Sequence, residues 1–130
     1  MYYIIRQGFT QDNSIGNQFY GIIFVMQPTQ EQLDELVQRI VATVHPLRII
    51  LFGSAARGEM TPDSDFDVLV VMPEGTPQRP TAQELHRHFI GLSFPVDVLV
   101  TTPSQLERHR NNIGLIYRTI LIEGKEVYAA

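Results

Sequence analysis

Cysteine is absent from this chain of 130 residues, and its absence excludes two kinds of architecture. Without thiols the chain can form neither a disulfide framework nor a zinc site with thiolate ligands. A fold that needs no disulfides fits a reducing compartment. We therefore expect a cytoplasmic protein.

Long apolar runs and excess basic charge are also absent. No run of 18 apolar residues occurs in the sequence, so we expect no membrane-spanning helix. The N-terminus lacks a clean apolar core followed by a small-residue cleavage site, which argues against a signal peptide. Ten Lys and Arg against fourteen Asp and Glu give a net charge of −4. Proteins that hold long nucleic acid are usually basic, so we expect no stable binding to long nucleic acid.

The sequence pattern changes near residue 26. Residues 7–17 are rich in Gly, Asn and Gln and read as a loop, and residues 19–26 are apolar enough for an extra edge strand. The same stretch could instead be read-through from upstream, with Met26 as the true start. We therefore predict an N-terminal extension of uncertain order over residues 1–26 and one domain over residues 27–130, long enough to bury a core.

From Thr29 onward, helical and strand patterns alternate. Capping boxes and apolar spacing predict helices that begin at Thr29, Thr81 and Thr102, the last with a core face from Ile113 to Leu121. Apolar runs predict strands over 47–52, 67–72 and 96–101, a Pro/Gly loop over 73–80, and a tail or strand over 125–129. This order predicts an α/β (α+β) fold with a short mixed sheet and helices packed on it.

A Gly-Ser pair follows the first of these strands. Gly53 permits a tight turn and close approach of the backbone to a ligand. Ser54 offers a hydroxyl and a backbone N–H at the start of a short helix, where anions bind. Arg57 lies one helical turn further on and can reach the same anion, and Gly58 ends the helix. Alone, this pattern also fits an ordinary turn. With the carboxylates that follow, it predicts a phosphate site.

Two carboxylates, Asp65 and Asp67, enter the second strand. Residues two apart in a strand point to one face, and their mutual repulsion is relieved by a cation between them. Mg²⁺ prefers hard oxygen ligands, with substrate phosphates and water completing its shell. Asp97 lies inside the third apolar strand, where burial of a charge without a partner is costly. If the two strands are neighbours, the three carboxylates can hold two ions for an in-line displacement at phosphorus.

These carboxylates also have plainer explanations. Asp65 and Asp67 could simply end a loop, and Asp97 could pair with an arginine. A bare Asp-x-Asp is common by chance. We favour the metal site because the Gly-Ser pair stands eleven residues before Asp65 and a third carboxylate follows.

The strings GSAARG (residues 53–58) and SDFD (residues 64–67) resemble the signature of the DNA polymerase beta-like nucleotidyltransferase superfamily. Within that superfamily the chain looks most like the minimal nucleotidyltransferases (MNT or MntA-type), over residues 29–128. The resemblance implies that ATP is the substrate and that its triphosphate contacts Gly53, Ser54 and Arg57. It also implies that Mg²⁺, as two ions, is bound by Asp65, Asp67 and Asp97. The third of these carboxylates would also help to activate the incoming hydroxyl.

The resemblance implies a partner as well. Larger superfamily members carry a second domain that holds the acceptor, and this chain has almost no room for one. Minimal members are commonly encoded beside HEPN-domain proteins, which are helical ribonuclease toxins. The resemblance therefore implies the antitoxin of a type VII-like toxin–antitoxin pair, which adenylylates a hydroxyl of the toxin. Two rivals stand beside it: a small-molecule adenylyltransferase acting on an aminoglycoside-like hydroxyl, and a non-catalytic antitoxin that only masks its partner.

Overall fold

The computed structural model describes residues 2–7, 23–61, 63–112 and 116–130. The helices among them are α1 (Gln30–Val44), α2 (Gly53–Arg57), α3 (Gln78–His88), α4 (Pro103–His109) and α5 (Ile116–Glu123). The strands are β1 (Tyr2–Gln7), β2 (Ile23–Pro28), β3 (Arg48–Phe52), β4 (Phe66–Val71), β5 (Val96–Thr101) and β6 (Lys125–Ala129). None of the described helices is long and apolar enough to cross a membrane.

Four of the strands form the main sheet, in the order β5-β4-β3-β6. β3 is antiparallel to both β4 and β6, whereas β4 and β5 run parallel. The parallel pair needs a crossover connection, and α3 lies in the connection from β4 to β5. The mixed sheet with packed helices confirms the predicted fold class.

Helices cover the main sheet on both faces. Alternation along a strand sends successive side chains to opposite faces. Val68 and Val70 of β4 therefore join the larger core, which also contains residues of α1 and α3. Leu69 and Val71 join a smaller core with Leu106 of α4 and residues of β3 and α5. Because β4 is buried on both faces, the residues at its start are held in fixed positions.

α1 begins and ends where the sequence predicts. The Thr29 hydroxyl accepts a hydrogen bond from the Gln32 N–H, and the Gln32 side chain accepts one from the Thr29 N–H, both at 3.2 Å. The helix ends at His45, whose φ of 52° is left-handed, and Pro46 cannot continue it. Leu36 and Ile40 are the most deeply buried residues of its apolar face.

α3 begins earlier than predicted. Its first residue is Gln78, so the loop over 73–80 is shorter than expected and the predicted cap at Thr81 is wrong. Thr81 lies inside the helix, where its hydroxyl donates to the Pro77 carbonyl four residues back at 2.6 Å. A threonine in the first turns of a helix can make either bond, and the sequence pattern does not distinguish them.

The long helix predicted after Thr102 is in fact two helices, α4 and α5. Thr102 is the N-cap of α4, but its side chain makes no capping bond. The carboxylate of Glu74 accepts from the Ser104 N–H at 2.7 Å and from the Ser104 hydroxyl at 2.8 Å instead. Ile113, which was expected on the core face, lies outside the described residues.

The N-terminal strands form a separate antiparallel pair. β1 pairs with β2 along its whole length, from Tyr2 opposite Pro28 to Gln7 opposite Ile23. The extra strand expected over 19–26 thus exists in part, over 23–28, but it does not lie at an edge of the main sheet. Gln7, predicted as loop, ends β1. Residues 8–22 lie outside the described residues, and the domain division at residue 26 stays a prediction.

Candidate active site

The turn from β3 into α2 fits only glycine at its first position. Gly53 has a φ of 70°, a conformation that other residues adopt at a cost. A Cβ built on Gly53 would overlap Oδ2 of Asp67 and would lie 3.2 Å from its Cγ. The backbone of the turn is therefore packed directly against the Asp67 carboxylate, which links the predicted phosphate half of the site to the metal half.

α2 is a single short helix with the predicted C-cap. Gly58 is left-handed, with φ 70° and ψ 29°, and the Glu59 N–H donates to the Ser54 carbonyl at 2.8 Å. Ser54 is half-buried, and its hydroxyl makes no hydrogen bond to any part of the chain that the structure describes. It is therefore available to a ligand at the start of the helix.

Asp67 lies between two neighbours in the sheet. Its register partners are Phe52 on β3 and Asp97 on β5. Since paired residues in a sheet point to one face, the side chains of Asp67 and Asp97 are neighbours. Asp65 lies two residues before Asp67, immediately ahead of β4. The structure thus brings together the three carboxylates that the sequence singled out.

Negative charge accumulates at this point. Burial raises the pKa of the Asp67 carboxyl above its ordinary value, and the charges of Asp97 and Asp65 raise it further, while Arg57 lowers it. Like charges at short range favour the protonated form. The charged form of Asp67 is therefore less favourable than that of a free aspartate, and a nearby cation would favour it.

The expectation that Asp97 is buried is wrong. Asp97 is the second residue of β5 and its side chain is exposed. Asp97 lies near the start of β5, whereas α4 begins after the end of that strand. α4 therefore does not start beside the Asp97 carboxylate. Because it is solvated, Asp97 does not need an arginine partner, and it stays available to a ligand.

The donor chemistry fits a hard divalent cation. Carboxylate oxygens are the ligands that Mg²⁺ prefers, and three carboxylates lie beside the Gly53 turn. Among the described residues, however, no group of three His, Cys, Asp or Glu side chains stands in an arrangement ready to hold a metal ion. The residues therefore supply the ligands for such an ion but not a closed cage.

Arg57 has a partner that the sequence did not reveal. Its Nε donates to Oε1 of Glu59 at 2.7 Å, and both side chains are about half exposed. Arg57 also lines a cleft of 250 Å³ together with Lys125 and residues of α1 and α2. Spacing gave no reason to select Glu59 or Lys125, because neither belongs to a recognised pattern.

Chemically, this corner of the fold can hold a polyanion near hard-cation ligands. The Ser54 hydroxyl, the start of α2 and the Arg57 guanidinium offer donors, and the three carboxylates lie beside them. Such an arrangement suits a phosphorylated substrate carried with a divalent metal.

Comparison with known proteins identifies the family of the chain. Residues 30–127 match the profile of the family described as nucleotidyltransferase domain. No curated protein matches the chain. Among solved structures, the fold is similar to the crystal structure of a putative nucleotidyltransferase from Sulfolobus solfataricus, with a TM-score of 0.52 and 20% identity over 76% of this chain and 78% of that one. At that identity the likeness concerns the fold alone.

Proposed function

The chain belongs to the nucleotidyltransferase domain family, and from that premise we propose that it transfers AMP from ATP to a hydroxyl group with the help of Mg²⁺. The observation that carries the proposal is the pairing of Asp67 with Asp97 in adjacent strands, directly beneath the Gly53 turn. This pairing places carboxylates next to the backbone that would receive the triphosphate.

The carboxylates have separate roles in this proposal. Asp65, Asp67 and Asp97 would hold Mg²⁺, which neutralises charge on the α-phosphate and on the departing diphosphate. Asp67 is the central ligand, because the other two carboxylates both act on its pKa. Asp97 is exposed, so it can also accept the proton of an incoming hydroxyl.

Gly53, Ser54 and Arg57 would orient the triphosphate. The turn at Gly53 leaves room for close approach, the uncommitted Ser54 hydroxyl can donate to a phosphate oxygen, and Arg57 can pair with another. Arg57 must then exchange its Glu59 partner for phosphate. The ion pair is exposed, and such pairs contribute about 0–1 kcal/mol, so the exchange is not costly.

We also propose that the acceptor is a protein, namely a HEPN-type toxin that the chain inactivates as its antitoxin. The family profile occupies 98 of the 130 residues. The net charge of −4 disfavours a long nucleic acid as acceptor. Selection of the acceptor then depends on contacts with another protein.

A label-transfer experiment tests the proposal. The purified chain is incubated with Mg²⁺ and α-labelled ATP, with and without the product of the neighbouring gene, and the label on protein is measured. We expect label on that partner, and we expect it to disappear in the double variant Asp65→Asn/Asp67→Asn. The matched control is Asp63→Asn, which changes an exposed aspartate in the same loop.

Each outcome has a distinct meaning. Label that persists in the double variant would remove Asp65 and Asp67 from the active site. Label on a small alcohol but on no protein would favour a small-molecule adenylyltransferase. If the double variant transfers no label but still neutralises the partner, a masking antitoxin would be favoured.

A further inference from the structure

β5 ends the main sheet, and no strand in the described part of the chain pairs with its outer side. The Phe66 N–H donates to the Pro95 carbonyl at 2.9 Å, and the Met72 N–H donates to the Thr101 carbonyl at 2.8 Å. Backbone polar groups in a strand alternate between its two sides, so every second residue of β5 faces away from β4. The N–H and C=O groups on that open side belong to Val96, Val98 and Val100.

The two edges of the sheet differ in protection. β6 carries Lys125 and Glu126, Glu126 forms an ion pair with Arg48 at 2.6 Å, and the register with β3 shifts between Ile49 and Ile50. Charges and register breaks of this kind discourage pairing with a further strand. β5 reads VDVLVT, with Asp97 as its single charge and with no lysine, proline or glycine, and its register with β4 is unbroken. The β5 edge is therefore the one at which a further strand can pair with the sheet.

This open edge lies beside the candidate active site. Asp97 belongs to β5 and shares a face with Asp67. A strand paired with β5 would lie about 4.8 Å away, and its residue opposite Asp97 would point to the same face, with its Cβ about 5 Å from that of Asp97. A hydroxyl on that residue would therefore lie next to the carboxylates.

We propose that the edge of β5 binds the acceptor as an extended polypeptide segment, which presents a Ser, Thr or Tyr hydroxyl opposite Asp97. This inference rests on the proposed function and names its acceptor class. Only an extended backbone offers alternating N–H and C=O groups at the spacing of Val96, Val98 and Val100. Neither a small alcohol nor a nucleic acid matches that pattern.

The reaction at this edge balances as a simple displacement. The acceptor oxygen attacks the α-phosphorus of ATP and forms a new P–O bond. The bond from that phosphorus to the oxygen bridging the β-phosphate breaks, and diphosphate leaves with the electron pair. The hydroxyl proton passes to the Asp97 carboxylate and from there to water.

The first test changes the acceptor. A library of blocked nine-residue peptides, with a central Ser, Thr or Tyr and randomised β-forming residues around it, is incubated with the chain, Mg²⁺ and α-labelled ATP. A second library has the same sequences with alternate backbone nitrogens methylated, which prevents pairing on one side. We expect the methylated library to take up about tenfold less label, because its hydrogen bonds to the edge are lost.

The second test changes the edge itself. Val98→Pro removes an N–H that makes no bond to β4, so the sheet ladder stays complete. Val98→Ala is the matched control, since it also changes the buried side chain but keeps the N–H. We expect Val98→Pro to lower peptide labelling about tenfold and Val98→Ala to keep it within about threefold of wild type. Mg·ATP binding should be unchanged in both.

Equal labelling of the two libraries, or equal labelling by the two variants, would overturn the inference. So would a wild-type dimer that Val98→Pro converts to a monomer, because a second copy would then occupy the edge. Absence of label on both libraries would also overturn it. In that case the proposed function still stands if the chain binds Mg·ATP and labels the neighbouring gene product, and it falls if neither is observed.

Discussion

At Asp67, folding and the proposed chemistry make opposite demands. The side chain is half-buried beneath the Gly53 turn, beside two further carboxylates that raise its pKa. A raised pKa means that the folded chain holds the proton more tightly than the unfolded chain does. Deprotonation therefore destabilises the metal-free fold as the pH rises from the ordinary pKa of 3.8 towards the raised value.

We expect Asp67→Asn to abolish nucleotidyl transfer and to stabilise the metal-free protein. The gain should be a few tenths of a kcal/mol after solvent screening, or about 1–3 °C in Tm. It should be present at neutral pH and vanish below pH 3.8, where wild-type Asp67 is also uncharged. Thermal melts in EDTA at both pH values measure it, with Asp63→Asn as the control. A Tm of Asp67→Asn below that of wild type at neutral pH would contradict the idea that the Asp67 charge destabilises the metal-free fold.

Gly53 offers a test of the contact between turn and carboxylate. Gly53→Ala places a methyl group into Asp67 at a φ of 70°, whereas Gly75→Ala, at a φ of 87°, meets nothing within 4 Å. Both variants should lose about 1–2 kcal/mol of stability from the left-handed backbone. Only Gly53→Ala should also displace Asp67 and weaken Mg·ATP binding, which calorimetry measures. Equal binding by the two variants would contradict the contact.

At this scale, spacing along the chain predicted the positions that depend only on local geometry. Gly53 could be found because a strand-to-helix turn needs it, and Asp65 and Asp67 could be found because alternation aligns them. The exposure of Asp97 could not be predicted, because it depends on which helix covers that end of the sheet. Glu59 could not be predicted either, because its contact with Arg57 arises only when Gly58 reverses the chain.

At the scale of elements, two similar threonine patterns have different outcomes. Thr29 caps α1 through a reciprocal pair of hydrogen bonds with Gln32. Thr81 has Glu84 at the same spacing but lies inside α3. Pro77 explains the difference: it occupies the N-cap position of α3, and the residues after it already adopt helical geometry.

We expect Thr29→Ala to cost about 1 kcal/mol of unfolding free energy, the usual effect of losing a cap. Thr81→Ala removes only a hydroxyl that donates to the carbonyl of the N-cap residue Pro77. That change should cost less than about 0.5 kcal/mol. Urea denaturation followed by circular dichroism compares them. A larger loss from Thr81→Ala would mean that α3 begins at Thr81 after all.

The strands were easier to predict than the helices. β5 matched its predicted bounds, β3 differed by one residue at its start, and β4 differed by one residue at each end. Apolar runs bounded by Pro and Gly mark buried strands clearly. The break between α4 and α5 was missed, because apolar residues at helical spacing occur on both sides of it. The pairing of β1 with β2 is a long-range contact that no local pattern encodes.

Considered as a whole, the molecule has unequal layers on its two faces. Among the residues that the structure describes, the larger core has fifteen buried members and the smaller one has six. On the smaller side a cleft of 320 Å³ opens at the end of the sheet remote from the carboxylates, and its lining includes Leu47, Val71, Leu106 and Leu121. Ile116 and Ile122 of α5 remain largely exposed. The face beneath α4 and α5 is thus the more open of the two.

Adjacent valines on β4 allow a matched comparison of the two layers. Val70→Ala should cost about 2.5 kcal/mol, because it leaves an enclosed cavity in addition to the lost transfer energy. Val71→Ala should cost about 1.5 kcal/mol, since the neighbouring cleft lets solvent or side chains fill the space. Guanidinium denaturation should show one cooperative transition for both. Equal costs, or a second transition, would contradict a single domain with unequal layers.

The in-register pairing of β4 with β5 has one more consequence. A slip of β5 by a single residue would turn Asp97 towards the larger core and bring a valine to the position beside Asp67. Misfolded molecules of this kind would retain much of their helix and strand content, so bulk spectroscopy would hardly detect them. The position of Asp97 beside Asp67 therefore depends on the correct register of β5. Specific activity per mole of chain would report the fraction of molecules whose strands have closed correctly.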